Sequence, residues 1–216
     1  MNWKETILAI EKSVKDKFSG EATGHDWHHI DRVRRNALII AEKEGGDLII
    51  TELAALLHDI DDHKFNGGDW EAGTRKAKQI LEEHQVPEQA SIHICQIIGK
   101  VSFKGANVLS VPDSIEGKSV QDADRLDAIG AIGIARAFAY GGNKNRMIYE
   151  PTEEIVLHES REAYFNSGSH TINHFYEKLL LLKDTMNTPT GKQMAASRHA
   201  FMEQFLKQFY DEWDTK

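Results

Sequence analysis

The chain has a single cysteine, Cys95, in 216 residues, and this excludes an internal disulfide. Its neighbours Ile92, Ile94 and Ile97 give Cys95 the surroundings of a small buried hydrophobe rather than a nucleophile. A basic excess is missing too. Against 34 acids stand 26 lysines and arginines, a formal net charge of -8, so the chain as a whole lacks the field of a nucleic-acid binder, and no nucleic-acid partner is expected. No stretch is long and apolar enough to span a bilayer, and the amphipathic, acid-bearing start MNWKETILAIEKSVKDKF does not read as a signal. A cytoplasmic protein without a membrane partner is expected. No run of β-branched residues alternates for long enough to make a strand, and no repeat, low-complexity tract or linker divides the chain. GGNKN at 141–145 lacks the spacing and the preceding strand of a phosphate loop.

What is present is helical periodicity. With 40% hydrophobic residues, one large domain over 1–216 can bury a sizeable core. Apolar spacing predicts helices over 2–18, 26–44, 50–61, 69–84, 88–102, 120–139, 152–166, 170–186 and 190–213. The fold class is therefore all-α. EGGD at 44–47 separates the second and third helices, with Asp47 or Thr51 available as the cap. Residues 103–119 and 140–151 resist helix, and these long basic-containing loops are candidate lids. Gly130 and Gly133 are read as permitting close packing within an otherwise helical run. The run Leu179–Leu182 reads as helix core, and Trp27 as core packing rather than a stacking platform.

The stretch AALLHDIDDH at 54–63 drives an apolar helix into His58, Asp59, Asp61, Asp62 and His63. Clustered carboxylates repel, and a buried, unpaired one costs several kcal/mol. A bound cation removes both difficulties. Two further segments also embed histidine or acid in an apolar helical face: GHDWHHIDRV at 24–33 and VQDADRLDAIGAIGIARAF at 120–138. His29 is in register with Val33 and Ala37, and Asp124 precedes Leu126, Ile129 and Ile132 at inward-facing spacing. His29, His58, Asp59 and Asp124 together offer two imidazoles and two carboxylates to one divalent metal. That shell suits Mn²⁺, Fe²⁺, Co²⁺, Ni²⁺ or Zn²⁺ better than a thiolate-seeking ion.

The order His, then His-Asp, then Asp, in the contexts HHIDRV, AALLHDI and DADRLDAIGAIGIAR, resembles the HD-domain superfamily of metal-dependent phosphohydrolases. VSFKG at 101–105 and HFYEKLLLLKD at 174–184 resemble its small bacterial YedJ-like and YpgQ-like branch, and the likeness spans nearly the whole chain. It implies a single-domain helical fold, with a metal-binding core over about residues 20–140 and C-terminal helices over 152–213 packing on it. It also implies His29, His58, Asp59 and Asp124 as ligands of one ion, Mn²⁺ first, with Fe²⁺, Co²⁺, Ni²⁺, Zn²⁺ or Mg²⁺ as alternatives. The reaction implied is hydrolysis of a phosphate ester or anhydride in a small phosphorylated substrate, in its sharpest form a (deoxy)nucleoside triphosphate cleaved to monophosphate and pyrophosphate. Other phosphoesterases of the superfamily, or a non-catalytic nucleotide-binding module, are the alternatives. Asp62, three residues after Asp59, is the candidate to accept a proton from the attacking water. Arg32, Lys64, Lys104 and Arg146 are the candidates to bind phosphate. Asp127, three residues after Asp124, could steady the site or cap a turn and has no role assigned, and self-association into a homo-oligomer stays open.

Overall fold

The computed structural model describes residues 1–18, 26–60, 71–101, 111–153 and 169–216. The described residues are helical, with no strand among them, as the periodicity predicts. They gather into two compact units, and the boundary falls after Asp124.

In the first unit, α1 (Trp3–Lys17) buries Ile7, Ile10 and Val14 along one stripe. Helix α2 (Trp27–Glu44) starts where the Asp26 carboxylate accepts from the His29 amide at 2.8 Å. It stops at Gly45, whose φ of 80° lets the Gly46 amide turn back to the Ala41 carbonyl at 2.8 Å. Helix α3 (Leu48–Leu57) is capped by Asp47, which accepts from the amides of Ile49 and Ile50. Seven of its ten residues are buried, because α3 packs against α1, α2 and α5 (Glu88–Val101) at once. Full burial of Leu53, Leu56 and Leu57 is worth about 1.5–3 kcal/mol each. Helix α4 (Ala72–Glu83) packs on α5. Cys95 of α5 is half-buried, and burial pushes its thiol up, as befits an unactivated cysteine. Trp27 lies under the Lys15 ammonium, 5.8 Å from its ring centroid.

Several predicted boundaries differ: the helix predicted over 50–61 runs Leu48–Leu57 and ends at His58. Helix α6 runs Ile115–Asp127, so it begins inside the stretch read as loop. The predicted helix over 120–139 is two helices, since α7 (Gly130–Asn143) starts afresh at Gly130, with a φ of 76°, and continues past residue 139. The predicted helix over 170–186 is a five-residue α8 (Asn173–Glu177) followed by a 3-10 segment (Leu179–Thr185). Beyond Glu153 the predicted helix over 152–166 lies outside the described residues.

In the second unit, α9 (Pro189–Trp213) opens with Thr188 capping the Gly191 amide at 2.9 Å and Pro189 in the first turn. It packs on α7 and on the 3-10 segment. Phe138, Phe175 and Phe205 form the aromatic core, Phe175 stacking on Phe205 with centroids 5.8 Å apart. No helix among the described residues is long and apolar enough to cross a membrane.

Candidate metal centre

His29 sits in the first turn of α2, held on the buried face by the Asp26 cap. His58 is the residue at which α3 ends, and Asp59 follows it in the turn that bonds the Ile60 amide to the Leu57 carbonyl. The pair therefore lies just past the helix rather than within it. Asp124 comes from the last turn of α6.

These four side chains converge. His29 Nε2 lies 3.3 Å from His58 Nε2, 3.3 Å from an Asp59 carboxylate oxygen and 3.6 Å from one of Asp124. His58 Nε2 is 3.7 and 3.9 Å from the same two oxygens. The histidine side chains are 0% and 1% exposed, those of Asp59 and Asp124 13% and 29%.

The His58 ring approaches the Ala55 carbonyl with Nδ1 at 2.7 Å. A carbonyl only accepts, so Nδ1 carries the proton, and the neutral ring aims an Nε2 lone pair into the cluster. Ring nitrogens and carboxylate oxygens thus crowd together at a largely buried point, an arrangement that a positive charge at its centre would stabilise. A cation with bonds of about 2.1 Å spaces its ligand atoms by about 3.0–3.4 Å, close to the shorter separations here. His29, His58 and Asp59 form a group able to hold a metal ion. The donor set and its geometry fit a divalent cation, with Asp124 at its more open side.

Arg32 is half-buried on α2, one turn after His29. Arg146 belongs to the second unit, its guanidinium carbon 5.9 Å from the Tyr140 ring centroid. Asp62, Lys64 and Lys104 lie outside the described residues, as do His25, Asp61 and His63. Two features escaped the sequence reading. The Ala55 carbonyl that orients His58 leaves no side-chain signal. Asp127, unassigned from sequence, is buried and ion-paired with Arg136 at 2.8 Å.

The HD domain family model matches residues 26–129, a span that holds all four converging side chains. YpgQ of Bacillus subtilis (strain 168) is 42% identical over 203 residues, 92% of this chain and 89% of that protein. Its crystal structure in complex with ADP matches with a TM-score of 0.76 at 38% identity, over 98% of this chain and 97% of that one. An HD-superfamily hydrolase from Bacillus thuringiensis matches over the full length of both chains, with a TM-score of 0.77 and 45% identity. A Lactobacillus plantarum protein does so with a TM-score of 0.86 at 38% identity. Converging histidines and carboxylates inside the matched span, together with likeness along the whole chain, lead to one statement: the chain belongs to the HD domain family and is by that membership an HD-superfamily hydrolase.

Proposed function

We propose that the protein is a metal-dependent phosphohydrolase of nucleotides, cleaving (deoxy)nucleoside triphosphates to monophosphate and pyrophosphate. The observation that carries the reading is the convergence of His29, His58, Asp59 and Asp124 within 3.3–3.9 Å. The ADP bound to YpgQ supports a nucleotide as the ligand class.

In this proposal the four side chains hold one divalent ion, Mn²⁺. Such an ion supplies Lewis acidity, lowering the pKa of water from 15.7 towards about 7 and polarising a phosphoryl oxygen. Asp62 accepts the proton as the water oxygen attacks the α-phosphorus, and the bond to the departing pyrophosphate breaks. Arg32, Lys64, Lys104 and Arg146 neutralise the phosphate chain. Burial of both imidazoles keeps bulk water from competing for their lone pairs, and the Ala55 carbonyl holds His58 in the tautomer that presents Nε2.

The test is product analysis. Chelator-treated protein is incubated with a panel of nucleotides, with and without Mn²⁺, and the products are separated by ion exchange. Monophosphate plus pyrophosphate, dependent on metal and absent in Asp59→Ala, is the expected outcome. Inorganic phosphate alone means a phosphatase, and no turnover despite tightly bound metal means a nucleotide-binding module.

A further inference from the structure

We infer that Arg136, through its ion pair with Asp127, is a positioning residue for Asp124; this rests on the metal-binding reading above. Asp124 stands three residues before the end of α6, in the turn where intrahelical hydrogen bonding runs out and fraying begins. It is also the most exposed of the four converging side chains, at 29%. Something must keep that last turn wound if Asp124 is to stay with His29 and His58.

The turn is closed by arginines. One guanidinium nitrogen of Arg136 reaches both the Asp127 carboxylate, at 2.8 Å, and the Asp127 carbonyl, at 3.3 Å. Arg198 of α9 donates to the Leu126 carbonyl, and the amides of Ala128 and Ile129 bond the carbonyls of Arg125 and Leu126. The final carbonyls of α6 are thus satisfied, and two cations sit at its negative end. Asp127 would otherwise be misplaced, since a carboxylate at a helix C-terminus opposes the dipole. Its side chain is 2% exposed, so removing Arg136 takes an ion-pair partner from a buried carboxylate, unlike the loss of a surface pair.

The glycines make the closure sterically feasible. A Cβ at Gly133 would lie 2.2 Å from the Ala128 carbonyl oxygen, and one at Gly130 would lie 3.0 and 3.1 Å from Cβ and Cγ of Arg198. DRLDAIGAIGIAR therefore encodes one helix end, a tight break at Gly130, and a second helix whose Arg136 reaches the last residue of the first. The contact is on the turn that carries Asp124.

Chelator-treated full-length protein titrated with Co²⁺ tests this, reading affinity and the visible spectrum of the bound ion. Wild type binds Co²⁺; Arg136→Gln weakens binding by about 10- to 100-fold and alters the spectrum, the range for groups that orient metal ligands. Arg136→Lys recovers part of the loss. Phe209→Leu, in the aromatic cluster of α9, lowers the melting temperature and leaves Co²⁺ affinity unchanged. If Arg136→Gln does not fold, Asp127→Asn serves, with the same expected loss. Wild-type affinity and spectrum in Arg136→Gln or Asp127→Asn, or an equal loss in Phe209→Leu, overturn the positioning role. Absence of Co²⁺ binding in wild type overturns the metal centre itself, and this role with it.

Discussion

Metal removal should cost the folded protein stability, and the structure sets the scale. His29 and His58 are sealed from water, so in the metal-free chain their facing ring nitrogens cannot relax into solvent. A ligand bound only by the folded state stabilises it by RT ln(1 + [L]/Kd), about 2.7 kcal/mol at one hundred times Kd. For a chain of this size each kcal/mol moves the melting temperature by about 2–4 °C. Mn²⁺ at that excess should therefore raise the melting temperature of chelator-treated protein by about 5–11 °C. The assay is a thermal melt across a Mn²⁺ titration, beside His29→Ala. That variant removes the nitrogen closest to three other donors and should abolish the shift. An unchanged wild-type melting temperature, or a full shift in His29→Ala, would refute the reasoning.

Three further outcomes follow from the second unit. Phe175→Ala empties a fully buried ring that packs on Phe138 and Phe205; it should cost about 3–5 kcal/mol by urea unfolding, and a cost under about 1 kcal/mol would contradict the packing described. Gly133→Ala places a methyl against the Ala128 carbonyl, and the forced backbone shift should cost about 1–3 kcal/mol; an unaltered urea midpoint would argue against that close approach. Burial holds His170, among Glu150, Glu153 and Glu177, and His174, among Glu177, Lys178 and Arg146, below their ordinary range. Below about pH 6.5 the unfolded chain takes up protons that the folded one refuses, so stability should fall from about pH 7 to about pH 5.5. Melts of His174→Gln should show a shallower fall, and a wild-type profile flat across that window would contradict the assignment.

Much of this architecture was legible because helices and buried polar groups leave periodic signals. His29 in step with Val33 and Ala37, and His58 at the end of an apolar run, mark side chains that the fold buries and must satisfy. The break after Asp127 was not legible, because Leu126, Ile129 and Ile132 keep helical spacing across it. In the structure Ile129 turns extended, at φ -125° and ψ 165°, and Gly130 left-handed, which makes the break. The start of α6 was hidden by Pro112 and Gly117, residues that usually punctuate loops. In the structure a Cβ at Gly117 would lie 2.6 Å from the proline ring, so that glycine serves close approach within a helix. Leucines 179–182 suggested a regular helix, yet Lys178, at φ -143° and ψ -61°, interrupts it and the chain tightens to 3-10. Arg136 could not be paired with Asp127 from sequence, since nine residues is no helical spacing and the contact exists only because the helix breaks at Gly130.

Metal content and turnover in one set of variants test the central claim most directly. His29→Ala, His58→Ala, Asp59→Ala and Asp124→Ala are loaded with Mn²⁺ beside wild type, and each is assayed for bound metal and for nucleoside triphosphate hydrolysis. The account predicts one ion per wild-type chain, weakened or lost in every variant, with hydrolysis lost in parallel. Hydrolysis that persists in a variant stripped of metal would contradict it.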